Sequence, residues 1–165
     1  MARKYVSNKD ESVRIFKSDI LEWFTYVHPI VPHLIYLPII ALVLYLSHAA
    51  DIPPASIGLL FVGGLALWTL AEYLVMTPSV SIPLAVFFFF VFWLAFGAGA
   101  GPALFGGFTF GYLVYDTIHY AVHHFSLHGR MMLYLKKKHL RHHYQNSRRD
   151  FGVSTPLWDW ILRTA

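Results

Sequence analysis

The chain contains no cysteine, which excludes disulfides, thiolate metal ligation and iron–sulfur clusters together. It also lacks a glycine-rich phosphate loop, a dinucleotide fingerprint and an internal repeat, so no motif points to a nucleotide ligand. Charge is scarce at 13% of residues, about half of what a soluble domain carries, roughly 25%. It is also unevenly placed. All thirteen Lys and Arg lie before Ser18 or after Gly129, leaving more than a hundred consecutive residues without a basic side chain other than His.

What fills that interval is apolar. Hydrophobic residues make up 56% of the chain and aromatics 18%, and the mean hydropathy is positive. Four stretches are long enough, or nearly so, to cross a bilayer: Ile30 to Ser47, Ser56 to Met76, Val80 to Gly97 and Pro102 to Tyr120. Turn chemistry separates them at Asp51-Ile-Pro-Pro, Thr77-Pro78-Ser79 and Gly97-Ala-Gly-Ala-Gly-Pro102. With every Lys and Arg near the termini, the positive-inside rule puts both termini in the cytoplasm and requires an even number of crossings. The expectation is an all-α integral membrane bundle of four transmembrane helices with a cytoplasmic histidine-rich, metal-binding cap. It divides into a cytoplasmic amphipathic segment (1–27), a four-span domain (28–124) and the cap (125–165).

The first segment carries both signs of charge and no cleavage-site pattern, unlike a secretory signal. Phe16, Ile20, Trp23, Phe24 and Val27 recur at helical spacing and predict one apolar face lying on the membrane. Lys136-Lys137-Lys138, Arg141, Arg148 and Arg149 could suggest nucleic acid by number alone. Beside a membrane they are expected instead to meet anionic headgroups or enforce topology, so no nucleic-acid partner is expected.

Seven of the ten histidines fall between His119 and His143, six of them in the clusters His119-x-x-x-His123-His124 and His139-x-x-His142-His143. At about 100° per residue, His119 and His123 lie roughly 40° apart on a helix, with Asp116 roughly 60° to the other side. In the second cluster His142 and His143 flank His139 by roughly 60° and 40°, so the three project together. A lone histidine in a basic interfacial segment is merely tolerated there; two one-faced triplets within twenty-five residues point to metal ligation. Neutral imidazole suits iron, zinc and copper, and an acidic partner such as Asp116 fixes its tautomer.

Other polar residues carry weaker signals. Glu72 and Asp116 are costly in hydrocarbon unless paired or wet, which makes each a functional candidate against the bland reading of an interfacial side chain. The segment His28-Pro29-x-x-Pro32-His33 reads as an entry turn, His48 belongs to the opposite side of the membrane, and His128 sits beside Gly129 in a turn. Phe87 to Phe90, Phe92, Trp93 and Phe96 could line an apolar slot, although aromatics so spaced more often face lipid or pack between helices.

The run Gly111-Tyr112-x-x-Tyr115-Asp116-x-x-His119-Tyr120-x-x-His123-His124, then Lys138-His139-Leu140-x-His142-His143-Tyr144 and Phe151-Gly-Val-Ser-x-Pro-Leu-Trp-Asp159, resembles the fatty acid hydroxylase superfamily, and within it the fatty acid 2-hydroxylases. Glu72-Tyr73 and Pro78-Ser-Val-Ser-Ile-Pro83 also resemble the family's second and third spans. The resemblance implies O2-dependent hydroxylation of a lipid acyl chain at two non-haem iron ions, which zinc can replace. It implies His119, His123, His124, His139, His142 and His143 as ligands, with Asp116 as the catalytic-site carboxylate that orients them. It further implies an external electron donor such as a cytochrome b5-like protein, and a bacterial inner membrane or endoplasmic reticulum location; homo-oligomerisation stays open. One departure stands out. The family's two further clusters, His-x4-His and His-x-x-His-His between spans two and three, are absent, for no histidine occurs between His48 and His119. Two alternatives therefore stand beside the hydroxylase: an inactive, shortened relative acting as a membrane scaffold or partner, and a bis-histidine membrane cytochrome.

Overall fold

A computed structural model describes residues 30–75, 82–146 and 149–165; the amphipathic segment 1–27 and His28 lie outside the described residues. The described chain is helical: α1 (Ile30–Ala49), α2 (Pro54–Val75), α3 (Ile82–His124), α4 (Arg130–Tyr144) and α5 (Leu157–Ile161). The first three are long and apolar enough to cross a membrane. Asp51, with φ 60°, turns the chain between α1 and α2, and Pro54 then occupies the first position of α2, where its missing N–H has no helical partner to lose.

The 43 residues of α3 would span about 64 Å if straight, roughly twice the hydrocarbon thickness of a bilayer. The helix instead reverses at Gly97, whose backbone (φ 77°, ψ 174°) is not helical and lies where only glycine is unstrained. Phe92 and Phe108 consequently meet with ring centroids 5.3 Å apart, and Phe89 and Phe105 at 5.4 Å. Sixteen residues along a continuous helix would separate such rings by about 24 Å. The break expected across residues 97–102 is thus concentrated in one residue, with Gly101 so close to the returning strand of helix that an added Cβ would stand 2.6 Å from the Phe92 carbonyl oxygen.

Both α1 and α2 pack on α3 and touch each other little. At the α2–α3 crossing the backbones themselves make contact. A Cβ on Gly64 would lie 1.9 Å from the Leu104 carbonyl oxygen, one on Gly107 1.8 Å from that of Phe61, and one on Gly111 2.6 Å from Trp68 Cβ. Small residues are what allow apolar helices to approach this closely where no hydrophobic effect drives them together. Around the crossing, Trp68 packs edge-on against Phe108 at 5.0 Å and Tyr112 at 5.5 Å, while Tyr36 of α1 meets Tyr112 at 5.6 Å. Phe88 and Phe92 turn inward to this cluster, whereas Phe87, Phe90, Trp93 and Phe96 stay exposed. The cavity between Ala85, Phe88, Phe105, Phe108, Thr109 and Tyr112 holds only about 10 Å³, about one water's worth of space. Among the described residues these aromatics therefore fill and coat the bundle.

The cap is fixed to the bundle through a strap, residues 150–156, that runs between α4 and α5. Two buried carboxylates collect four consecutive strap amides. Asp159 accepts from Phe151 N at 2.9 Å and Gly152 N at 3.0 Å; Glu72, near the end of α2, accepts from Val153 N at 2.5 Å and Ser154 N at 2.7 Å, and from the Ser154 hydroxyl. Glu72 is 3% exposed and its carboxylate is engaged by the strap, which makes it the bundle's hold on the cap. Trp158 adds an indole N–H to Thr69 Oγ1 at 3.1 Å.

Replacing Gly107 with Ala should lower stability by about 1–3 kcal/mol, as overpacking does, whereas Gly58→Ala, whose Cβ meets nothing within 4 Å, should leave it unchanged. Thermal unfolding of the detergent-solubilised pair measures the difference.

Candidate metal centre

The inner face of α3 runs Phe105, Phe108, Tyr112, Tyr115, His119 and His123 at helical spacing, so the stripe that forms the core in its lower part presents imidazoles at its end. Tyr115 links the two parts, its ring 5.3 Å from that of His119. After the turn at His128 and Gly129, α4 lays its own buried face, including His139 and His142, over this end. The turn is held by Lys136, whose ammonium donates to the Phe125 carbonyl at 2.9 Å.

Four imidazoles converge there: His119 and His123 from α3, His139 and His143 from α4, each offering a nitrogen within 4.8 Å of the others. His139 Nε2 lies 2.9 Å from His123 Nε2 and 2.9 Å from His143 Nε2. An imidazole nitrogen has one in-plane position, occupied by a proton or a lone pair, so two such contacts oversubscribe His139 Nε2. A cation between the rings resolves the conflict, because every nitrogen then points a lone pair at it. The donor set therefore fits a metal ion that takes imidazole nitrogen.

Electrostatics favour the neutral imidazoles that ligation needs. Burial, and then His119, His143, His123 and His142, push His139 down to about 2; burial and His142 push His143 down as well.

The other sequence candidates lie around the tetrad. His142 is buried, with Nδ1 2.6 Å from the Arg149 carbonyl oxygen, its ring 5.8 Å from His143 and 5.4 Å from Phe151. His124 stacks on Tyr120 at 4.3 Å. Asp116 acts electrostatically on His33 and Tyr36, on the α1 side of α3, and His33 Nε2 meets Thr117 Oγ1 at 3.0 Å. His128 is exposed in the α3–α4 turn, and His48 stands in the last turn of α1.

A set of supporting residues takes a role the sequence reading did not assign them. Lys138, 3% exposed, lies 3.2 Å from Asp159 and 3.5 Å from Asp150. Arg141 donates to Asp150 from Nε and, at 2.6 Å, from the terminal guanidinium nitrogen. Two cations thus neutralise two buried carboxylates behind the histidine face of α4. Burial opposes ionisation of Asp159, but hydrogen bonds from Thr164, Gly152, Phe151 and Lys138 outweigh it and hold its pKa below the ordinary value. The expectation that this basic run meets lipid headgroups is corrected for Lys136, Lys138 and Arg141, whose partners are protein oxygens; Lys137 is exposed. The signal was available in the helical register, since Lys138, Arg141 and His142 share one face of α4.

A fatty acid hydroxylase family model matches residues 67–164, more than half of the chain, and the protein belongs to that family. It does so with a reduced set of histidine clusters. Among its relatives, the dihydroceramide fatty acyl 2-hydroxylase of Arabidopsis thaliana is 28% identical over 93% of this chain and 80% of its own length. The fatty acid 2-hydroxylase of Rattus norvegicus is 28% identical over 92% of this chain, which spans only 56% of that protein. The solved structure of full-length Scs7p, with only its hydroxylase domain visible, superposes with a TM-score of 0.77 at 26% identity, covering 88% of this chain and 69% of that one. The Arabidopsis alignment extends over 190 positions, more than the 165 residues of this chain, so relatives carry segments that it lacks.

Two outcomes follow. Lys138→Met leaves two buried carboxylates facing one half-exposed guanidinium and should cost about 3–5 kcal/mol, the usual result of breaking a buried pair, read as a lowered unfolding midpoint. Acidification should also destabilise the metal-free protein. His139 and His143 have folded pKa values below the unfolded 6.5, so the unfolded chain binds more protons and stability falls as pH drops below about 6.5. The Asp159 contribution is lost in the same direction, below the ordinary carboxylate pKa. Unfolding midpoints that stay flat between pH 7 and 5 would contradict the lowered pKa values of His139 and His143.

Proposed function

We propose that the protein is a membrane lipid acyl-chain hydroxylase that crosses the bilayer four times, α3 supplying two crossings, with both termini and the cap (125–165) on the cytoplasmic side. The observation that carries this reading is the four-histidine ring at the end of the aromatic stripe, at the membrane boundary of a chain that belongs to the fatty acid hydroxylase family. His119, His123, His139 and His143 would hold an iron ion, with zinc able to replace it. Bound iron would supply the O2-reducing, C–H-oxidising power that no side chain has. The two-iron complement of the resemblance would need donors beyond the tetrad, and the ring of His142, beside His143, is placed to offer one.

The balanced reaction is R–H + O2 + 2 e⁻ + 2 H⁺ → R–OH + H2O, with the electrons delivered by an external small redox protein of the cytochrome b5 kind. The chain's own residues set the stage for it. Tyr115, Tyr112 and Trp68 close the bundle side of the tetrad with packed aromatic surface, which keeps water from that side. Neutral His139 and His143 present lone pairs at neutral pH. The clamp of Asp159 and Glu72 holds the strap, and through Arg149 and His142 it holds α4 at its distance from α3. The acyl substrates named for the relatives, fatty acids and dihydroceramides, are the ones to try first.

The second reading, a metal-binding relative without hydroxylase activity, is favoured by the two missing clusters. A haem protein is disfavoured, since haem takes two axial imidazoles on opposite faces of the macrocycle, whereas four imidazoles converge here and His139 Nε2 lies 2.9 Å from both His123 Nε2 and His143 Nε2.

The test is the iron-loaded full chain in liposomes with a reduced electron donor, ¹⁸O2 and long-chain fatty acyl or ceramide substrates. A product carrying one ¹⁸O atom, lost together with bound metal in His119→Ala and His139→Ala, is expected. Stoichiometric metal with no labelled product would establish the second reading, and no retained metal would overturn both.

A further inference from the structure

We infer that α5 and the residue after it form an interfacial foot that inserts into the headgroup–acyl boundary of the bilayer and holds the cap down on it. Three observations place it there. First, α5 lies alongside a span and not above it: Trp158 bonds Thr69 Oγ1 at 3.1 Å, and Thr69 is six residues before the end of α2, about 9 Å down the helix at 1.5 Å per residue. Tyr73, one turn nearer that end, packs on Phe151 at 5.3 Å and hydrogen-bonds Thr164 at 3.3 Å, so both ends of the C-terminal segment are moored to the last two turns of α2. Second, α5 turns its large apolar side chains outward. Leu157, Trp160, Ile161 and Leu162 are 45%, 61%, 57% and 50% exposed, and Leu74, in the last turn of the α2 helix on which the segment is moored, is 66% exposed. Third, the one basic residue of this segment, Arg163, stands exposed directly after the apolar run. Trp with an adjacent Arg is the side-chain pair that settles at a membrane interface, the ring in the boundary and the guanidinium toward headgroups.

The occupant that fits is phospholipid. The apolar surface is continuous with that of a helix built to face hydrocarbon, and it lies at the level where that helix leaves it. A helix of this kind buries its apolar face about 5–10 Å into the headgroup–acyl boundary. The foot is rigidly coupled to the metal-binding end, because Asp159 within α5 holds the Phe151 and Gly152 amides and Lys138 of α4. Its seating therefore sets the height of the histidine ring above the bilayer.

The absence of native cysteine makes the test direct. Trp160→Cys and, separately, Ile161→Cys would be spin-labelled in the full chain, reconstituted in phosphatidylcholine–phosphatidylglycerol liposomes, and their collision rates with oxygen and with a water-soluble nickel chelate compared. Val62→Cys, 60% exposed at mid-span, gives the hydrocarbon reference, and Lys137→Cys, exposed on α4, the aqueous one. Both labels are expected to favour oxygen over the chelate, with a ratio nearer Val62 than Lys137. A ratio equal to that of Lys137 would overturn the inference by placing the foot in water. Low collision with both reagents would overturn it as well, by showing that protein, a second copy or another chain, covers the foot. Exposure makes either variant compatible with folding, and unchanged thermal unfolding checks this independently.

Discussion

Everything at the metal-binding end depends on how four backbone amides are satisfied. A strap leaving α4 with N–H groups buried against a membrane bundle would lose a hydrogen bond for each unless an acceptor met it. Here Phe151 and Gly152 are met by Asp159 and Val153 and Ser154 by Glu72. One acceptor belongs to the cap and the other to the bundle, so the strap is a hinge pin shared by both. Without Glu72 the cap has no charged anchor in α2, and α4 loses what holds its histidines opposite those of α3. A glutamate that looks expensive within an apolar helix is retained because two amides and a hydroxyl surround it.

The same economy appears along α3. One helical face carries the packed aromatics and then, in its last two turns, the imidazoles, while the glycines that admit α2 lie to one side of it. Core and site are successive parts of one stripe, and the rigidity of the Trp68–Phe108–Tyr112–Tyr115 cluster extends to the rings that end it. The family to which the chain belongs is thereby represented with its two C-terminal clusters only, both on helices whose placement is over-determined by packing.

The sequence made much of this legible, for definable reasons. Long apolar helices, the breaks at Asp51 and Gly97, and the one-sided spacing of histidines in each cluster follow from hydropathy and local spacing, which are properties of single segments. What spacing could not supply was selection among the six histidines. His119, His123, His139 and His143 meet because α4 crosses α3 at one angle, and that angle is set by long-range contacts such as Lys138 with Asp159. Lys136 and Lys138 read as solvated members of a basic run, since burial of one lysine out of two neighbours is invisible without its acceptors. Glu72 and Asp116, alike in the sequence as lone acids in apolar helices, part company in the structure: the first grips the strap, the second faces His33 and Tyr36.

The reversal at Gly97 bears on how the molecule is made. Its tip, Gly97-Ala98-Gly99-Ala100-Gly101, holds nothing larger than a methyl group and no ionisable side chain, so pushing it through a bilayer transfers no charge and little polar surface beyond backbone. Under the proposed four-crossing topology, both limbs of α3 would enter together as a hairpin during biosynthesis, leaving Ile82 and His124 on the side from which they started. On that reading the histidines need never be translocated, and the half of the four-histidine cluster that α3 contributes stays within reach of α4 from the moment the hairpin is in place.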